Sequence, residues 1–488
     1  MKRERDKKAV ILITIDALRA DHLGPYGYQL RTAPNLEKFV EKGTIFMNAV
    51  ANGPESPTSF SSIFTSILPL LDGGFSPLPR EKITIAQILN EYGIFTYGIH
   101  CNPNLGSFFN YDRGFNIFID GERFRTVSKI KENKNLKQIT FSLISTIIFN
   151  IKFFNKLMYR LKGFNKVKGW LRKIPLITDI ILPFIPIAYN APYVTNRVIS
   201  VLAKKKKPIF LWAHYMDVHN PYNPPTRNIL NFTKKDISLN RKEYLNENLL
   251  KKKKKIKITP AILDDLKLLY NGEINYVDEY LGKLLEFIQV RFQNNCLIII
   301  TSDHGESFYE HGFFGHQANL FEELLHVPLF IVELGKNIEL HKIQENVQLL
   351  DIAPTILNYF GIPIPDNFQG ESLLPLVDEN SSYRERFIIS ECYQKNGIMK
   401  RNKDEGFIMI SIRSDEWKYI HDEENNQEFL FNLKSDPKEQ SNLINKELIK
   451  ANKFREIRDE HVNKISLVDE KSKILRNIET LDLKKSLK

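Results

Sequence analysis

Apolar runs at Ala9–Ile15, Thr96–His100, Pro208–His214 and Leu297–Thr301 are nearly unbroken, and each stops at polar residues. A strand buried on one face alternates between apolar and polar positions, whereas a strand covered on both faces reads as a continuous apolar run. These four segments are therefore predicted to be parallel strands of a covered sheet. Helical periodicity lies between them, near Pro34–Lys42 (Pro34 suits a first helical turn) and over Ile83–Tyr92. Ser59–Ser66 reads as a hydroxyl-rich helix start. The alternation predicts an α/β fold, a mixed, mostly parallel central sheet flanked by helices. After about residue 385 the texture changes to short runs: Phe387–Cys392, Phe407–Ile412, Trp417–His421 and Glu428–Asn432. They predict a small antiparallel C-terminal subdomain, ending in a charged helical tail from Lys446. The expected division is 1–385 and 386–488.

Two stretches interrupt this pattern. Residues 121–190 hold the apolar segments Ile139–Phe153 and Ile174–Tyr189, interleaved with Lys and Arg. They read either as a helical pair packed on the main domain or as an amphipathic insertion touching a membrane surface. Residues 226–258 carry a lysine run at Lys251–Lys257 and are expected to form a mobile loop.

Composition narrows the setting. The formal net charge is +11, which favours anionic partners. Part of that excess sits in lysine runs that read as solvated faces, so no nucleic acid is expected. Three cysteines without short spacing argue against a disulfide framework or a zinc ribbon and fit a reducing compartment. The run Ala9–Ile15 is short and ends at Asp16 without a cleavage site, so no signal peptide is expected. No apolar stretch reaches the roughly 18 residues of a membrane span. The expected location is cytoplasmic, with 121–190 offering peripheral contact at the inner membrane face.

In open α/β sheets ligands bind beyond the carboxyl ends of the strands. The polar residues there are Asp16, His100, the segment His214–His219, and Asp303 with His304. Alone, Asp16 could cap a helix or bind a metal. A second strand end offering an oxygen and an imidazole together, in Thr301-Ser302-Asp303-His304-Gly305-Glu306, favours a divalent metal. Between them, Asn52–Phe60 is a turn-rich segment leading into a helix. A hydroxyl at a helix N-terminus lies near free backbone N–H groups that suit an anionic ester, and a metal can make such a hydroxyl nucleophilic.

Taken in order, these segments resemble the sulfatase family of the alkaline phosphatase superfamily. The blocks are IDALRADHLGPYG, TAPNLEKFVEKGTIFMNAVA, SPTSFSSIFTS, YGIHCNPNLG, YDRGFNIF, LWAHYMDVHNPYNPP, YNGEINYVDEYLGKLL, TSDHGESFYEHGFFGHQANLFEELLHVPLFI, LLDIAPTILNYFGIPIP and EWKYIHDEENNQEFLFNLKSDPKEQSNL. Together they cover roughly residues 9–445, except the 121–190 insertion and the lysine-rich loop. The resemblance implies an alkaline-phosphatase-like fold and a hydrolase of sulfate or phosphate esters. It implies one divalent ion (Ca, Mg, Mn or Zn) on Asp16, Ser56, Asp303 and His304, with Ser56 as the nucleophile. It places His100 or His219 at the leaving group, and His219 and His316 on the anion.

This chain also departs from the family pattern. Ala17 replaces the second Asp of an Asp–Asp pair, His304 an Asn, Gly98 a Lys, and His316 a Lys that grips a sulfate oxygen. The modification motif is Cys or Ser, any residue, Pro or Ala, any residue, Arg. Ser56-Pro57-Thr58-Ser59-Phe60 lacks both the Pro/Ala and the Arg, so formylglycine is not expected at Ser56. An unmodified serine moves the expected chemistry toward a phosphodiesterase, a phosphonate hydrolase or a phosphoglycerol-type transferase. A degenerate, non-catalytic binding protein is the remaining alternative.

Overall fold

The computed structural model describes residues 8–71, 73–120, 191–204, 208–235, 237–247, 257–336, 339–378, 385–400 and 405–486, the last of these by backbone alone beyond residue 467. The 121–190 insertion and most of the lysine run lie outside them. The main sheet contains β1 (Ala9–Ile15), β2 (Thr44–Val50), β3 (Phe95–Ile99), β4 (Ile117–Ile119), β5 (Ile209–Tyr215), β6 (Cys296–Ser302), β9 (His326–Leu334) and β10 (His341–Gln348); β7 (Ser307–Phe308) and β8 (Phe314–Gly315) form a separate two-stranded ladder. The order across the main sheet is β10-β2-β9-β6-β1-β5-β3-β4. β9 pairs antiparallel with β2 and β6, and every other pairing in this sheet is parallel.

β1 runs through the middle, and its side chains feed two cores. Ala9, Ile11, Ile13 and Ile15 pack with residues of the helices Pro34–Val40, Ala191–Lys204 and Pro260–Phe292. Val10 and Leu12 pack on the other face, against the helices Ser56–Thr65, Ile85–Glu91 and Ile352–Phe360. Burial on both faces is the physical reason for the unbroken apolar run. It also decides direction at the strand end: by the period of two, Thr14 and Asp16 project to the face of the helix that carries Ser56.

The antiparallel C-terminal sheet has the order β12 (Ile398–Lys400), β11 (Ile388–Lys395), β13 (Phe407–Arg413), β14 (Trp417–Asp422) and β15 (Gln427–Asn432). A helix over Leu448–Ser486 follows. Just before β11, Arg386 makes two hydrogen bonds to the fully buried Asp351, Nη1 to Oδ2 at 2.9 Å and Nη2 to Oδ1 at 2.8 Å. Removing one partner of a buried pair leaves a carboxylate without its counter-charge. Arg386→Ala is therefore expected to destabilise the protein by about 3–5 kcal/mol. Chemical denaturation would check this, and a loss below about 1 kcal/mol would show the pair to be incidental.

Two expectations need correction. The helix read as starting at Ser59 starts at Ser56. The Thr58 hydroxyl donates to the Glu55 carbonyl at 2.8 Å and accepts from its N–H at 3.4 Å, and Pro57 occupies the first turn, so the helix is nucleated early. The stretch 226–258, read as a mobile loop, contains the helices Thr226–Leu230 and Leu239–Leu245 in its described part. Lys242, 6% exposed there, donates to the carbonyl of Pro224 at 2.7 Å, so not every lysine of the stretch faces solvent.

Candidate active site and metal centre

Asp16 and Asp303 lie at the carboxyl ends of adjacent parallel strands, and both are fully buried. His304 follows Asp303 and is also buried. Each of the three has part of its hydrogen-bonding capacity committed. Asp303 Oδ1 accepts from the backbone N–H groups of Ala17 (3.3 Å) and His304 (3.1 Å). His304 Nδ1 lies 2.8 Å from the Gly305 carbonyl, which only accepts, so Nδ1 carries a ring proton and Nε2 is the atom left to face the two carboxylates. Asp16 Oδ2 meets three donors: the Ser56 hydroxyl at 3.2 Å, Asn102 Nδ2 at 3.0 Å and His214 Nε2 at 3.2 Å.

The remaining atoms, Asp16 Oδ1, Asp303 Oδ2 and His304 Nε2, are buried without a hydrogen-bond partner. They face one another, with His304 Nε2 3.6 Å from Asp16 Oδ1 and 3.7 Å from Asp303 Oδ2. Three electron-rich buried atoms at this spacing repel unless something positive lies between them. Ligands about 2.0–2.2 Å from a tetrahedral ion stand roughly 3.3–3.6 Å apart, so the residues present fit a divalent cation. Against the upward push of burial, the charge of His219 and the hydrogen bond from His214 hold the Asp16 carboxyl well below the usual range. It is ionised, as a ligand must be.

Ser56 begins the helix Ser56–Thr65 and is 5% exposed. Its Oγ donates to Asp16 and accepts from Asn102 Nδ2 at 2.9 Å. Gly53 makes room for this turn, since a Cβ there would sit 2.2 Å from Thr58 Oγ1. Ala17 adopts φ 57° in the left-handed region, a strain of roughly 1–2 kcal/mol for a residue with a Cβ. That kink aims its N–H at Asp303, so the main chain, rather than a side chain, serves the site at this position. Gly98 leaves no space for a lysine, because a Cβ would lie 2.6 Å from Phe118 Cδ2.

The opposite wall is formed by histidines. The His316 ring centroid is 4.8 Å from that of His304 and 4.7 Å from that of His219. His316 Nδ1 is bound to Glu306 Oε1 at 3.2 Å. Burial works against charge in both groups, yet their pairing holds His316 up to about 9 and Glu306, which also accepts from the Tyr222 hydroxyl at 2.6 Å, down to about 2. The result is a cation at His316. Burial lowers His219, whose Nδ1–H donates to the Asn220 carbonyl at 2.5 Å and so leaves Nε2 free to turn inward. The structure thus brings Asp16, Ser56, Asp303 and His304 together, with His219 and His316 beside them. His100 is set apart: it is fully buried, stacks on Trp212 at 5.0 Å, and makes no hydrogen bond to Ser56 or Asp16. Burial pushes it down to about 3.

Residues 8–362 match the sulfatase family, and residues 309–466 match the C-terminal region of N-sulphoglucosamine sulphohydrolase. The chain belongs to the sulfatase family. By that relationship it is a sulfatase-type hydrolase. An arylsulfatase of Clostridium perfringens is 26% identical over 471 residues, covering 90% of this chain and 91% of that one. Human arylsulfatase K is 24% identical over 491 residues, covering 91% and 80%. The phosphonate monoester hydrolase of Agrobacterium radiobacter shares the fold with a TM-score of 0.66 at 19% identity, covering 93% of this chain and 96% of that one.

Asn102, His214 and Glu306 also touch this cluster; the sequence offered His214 and Glu306 only within polar segments at strand ends and gave Asn102 no role. Asn102 lies just past the end of β3, and Glu306 lies in the loop that carries Asp303. A second group, His311, Glu323 and Glu439, brings ligand-type atoms together elsewhere among the described residues. His311 Nδ1 faces Glu323 Oε1 at 2.9 Å, while Nε2 lies 3.1 Å from the Glu439 carbonyl and 3.4 Å from the Gln440 amide nitrogen, and its ring lies flat on Phe321 at 3.7 Å. Against the lowering by burial, the hydrogen bond and charge of Glu323 raise its pKa, and both ring nitrogens already have partners within the protein.

The loop geometry yields a direct prediction. Gly305 N–H and Glu306 N–H donate to the carbonyls of Leu324 and Glu323, and a Cβ on Gly305 would lie 2.1 Å from Glu323 O. Gly305→Ala must displace Asp303 and His304. It is expected to cost about 1–3 kcal/mol and weaken divalent-ion binding, read by thermal melts with and without Mn²⁺. An unchanged metal-induced shift in Tm would refute it.

Proposed function

We propose that this protein hydrolyses esters of sulfuric or phosphoric acid with the unmodified Ser56 hydroxyl as nucleophile and one divalent cation on Asp16, Asp303, His304 and Ser56. The observation that carries the reading is the Ser56 hydroxyl, held on Asp16 Oδ2 beside three partnerless donor atoms. The cation would neutralise anionic charge and lower the pKa of the serine hydroxyl. Asp16 and Asn102 orient the Ser56 oxygen for in-line attack. The His316 cation holds the ester oxygens, an interaction that strengthens as charge builds there; His219 would join it once Nε2 is protonated, the form that, against burial, Asp16 and Glu306 favour. In that protonated form His219 is the donor assigned here to the departing oxygen. Water then releases the anion from the serine. The substrate is an anionic ester reached from outside the β-strand ends. Among the described residues no helix is long and apolar enough to cross a membrane.

A phosphodiester or phosphonate substrate is favoured within this reading by Phe60. It stands at the arginine position of the modification motif and is fully buried, with its ring 5.1 Å from Trp212 and 5.0 Å from His214. Three chromogenic substrates, an aryl sulfate, a phosphate monoester and a phosphodiester, would be assayed side by side, with mass spectrometry of the Ser56 peptide. Turnover of a phosphorus ester by a chain with intact serine is expected. Sulfate turnover alone, with Ser56 lighter by two hydrogens, would overturn the unmodified-serine reading. No turnover of any ester would favour a binding protein.

A further inference from the structure

His214 touches Asp16 and could be read in two opposite ways. Asp16, His214 and Asp303 each bring one donor atom within 4.8 Å of the others, the spacing of a metal-ligand set. The hydrogen bonds behind His214 point elsewhere. Thr14 pairs with His214 across the parallel strands β1 and β5, so Thr14, Asp16, Trp212 and His214 share one sheet face, and all four are fully buried. Trp212 Nε1–H can only donate, and it donates to Thr14 Oγ1 at 2.9 Å. Thr14 then has one proton to place. His214 Nδ1 lies 2.9 Å away and the Ala213 carbonyl 3.4 Å away. The shorter contact puts the hydroxyl proton on the Nδ1 lone pair, which leaves the ring proton on Nε2, aimed at Asp16 Oδ2 at 3.2 Å. A nitrogen that carries a proton has no lone pair for a metal. The ring is also locked, edge-on to Phe60 at 5.0 Å and stacked on Trp212 at 5.9 Å.

We propose that His214 is a positioning residue and not a cation ligand: the chain Trp212–Thr14–His214 delivers an N–H to Asp16 Oδ2 and thereby turns Oδ1 toward the cation. The inference rests on the reading of Asp16 as a metal ligand given above. Its logic is that of an outer hydrogen bond fixing an inner ligand, whose loss costs roughly 10–100-fold in metal affinity. The dipeptide spacings Thr-x-Asp on β1 and Trp-x-His on β5 are what make it possible. Each pair stands two residues apart, and the register then places all four on one face.

The test has two arms. Ring-¹⁵N-histidine spectra of the metal-free protein, with His214 assigned by the signal lost in His214→Gln, report which nitrogen carries the proton. A proton on Nε2 and an unprotonated Nδ1 are expected. A bare Nε2 overturns the proposal. Mn²⁺ titration calorimetry supplies the second arm. His214→Ala is expected to weaken binding roughly 10–100-fold, while His214→Gln, whose amide N–H stands where Nε2–H was, stays within about threefold of the parent. Thr14→Val, which removes the proton donor but keeps the shape, is expected to fall between them. Equal loss of Mn²⁺ in the Ala and Gln variants would mean that His214 binds the ion, and the proposal fails. A parent chain that binds no Mn²⁺ overturns the metal reading of the site, and the nitrogen spectra still decide the direction of the hydrogen bonds.

Discussion

Ser56→Ala is expected to lower kcat by roughly 10⁴–10⁶-fold while leaving KM within about tenfold of the parent and weakening Mn²⁺ binding only by the loss of one of its four proposed contacts. The split follows from what the hydroxyl touches. Ser56 Oγ contributes one of three hydrogen bonds to Asp16 Oδ2, and Asn102 and His214 supply the other two. Removing it leaves Asp16 ionised and oriented. The histidines proposed to hold the ester, His219 and His316, lie on other segments and keep their own partners, Asn220 and Glu306. What disappears is the atom that forms the covalent bond. Water held at the same point would sustain only residual turnover, as happens when a nucleophile is removed from an otherwise intact site. Ser56→Thr keeps a hydroxyl at the first position of the helix and is expected to recover most of the loss. Steady-state kinetics on the best chromogenic ester, together with calorimetry, would check both. An alanine variant retaining more than about a tenth of parental kcat would show that Ser56 is not the nucleophile.

That prediction rests on residues whose placement was legible in the sequence. β1 occupies Ala9–Ile15 as read, because a strand covered on both faces writes its burial directly into an unbroken apolar run. The polar residues that end β1 and β6 then fall at one edge of the sheet, where they can converge. Direction was not legible. β9 is buried along most of its length and runs antiparallel to β2 and β6, but an apolar run has the same pattern whichever way it points. Register was not legible either, and it decides His214. Only the alignment of Thr14 with His214 turns a histidine at a strand end into a hydrogen-bond donor to Asp16. His100 shows the converse. It also lies at a strand end, yet Trp212 and Phe118 enclose its ring, and Asn102, two residues later, is the one that reaches Ser56. A strand end nominates candidates. The loop that follows chooses among them.

Asp303→Asn is expected to do two opposite things: to abolish metal-dependent turnover and to make the metal-free protein more stable. Asp303 Oδ1 accepts two backbone N–H groups, which an amide oxygen can also do, so the variant keeps the loop. Its other atom changes from an anionic oxygen to an NH₂ group facing Asp16 Oδ1 and His304 Nε2. Without a cation the parent holds two buried carboxylate oxygens and an imidazole nitrogen against one another, 3.6 and 3.7 Å apart at His304 Nε2. Charges of one sign in a low-dielectric interior repel strongly, and the hydrogen bonds of the two carboxylates are made through their other oxygens, Asp16 Oδ2 and Asp303 Oδ1. In the variant one charge is gone and the new N–H groups can donate to Asp16. Its Tm in excess chelator is therefore expected to rise, by roughly 2 °C or more. In the parent, a cation at 100 times its Kd adds about 2.7 kcal/mol by mass action, and the variant should lose nearly all of that gain. The crossing of the two effects is diagnostic. A residue that merely supports the fold would lower stability in both conditions, whereas a metal ligand lowers it only where metal is present. An Asp303→Asn chain that melts earlier than the parent in chelator, or that binds Mn²⁺ as tightly, would remove Asp303 from the cation site.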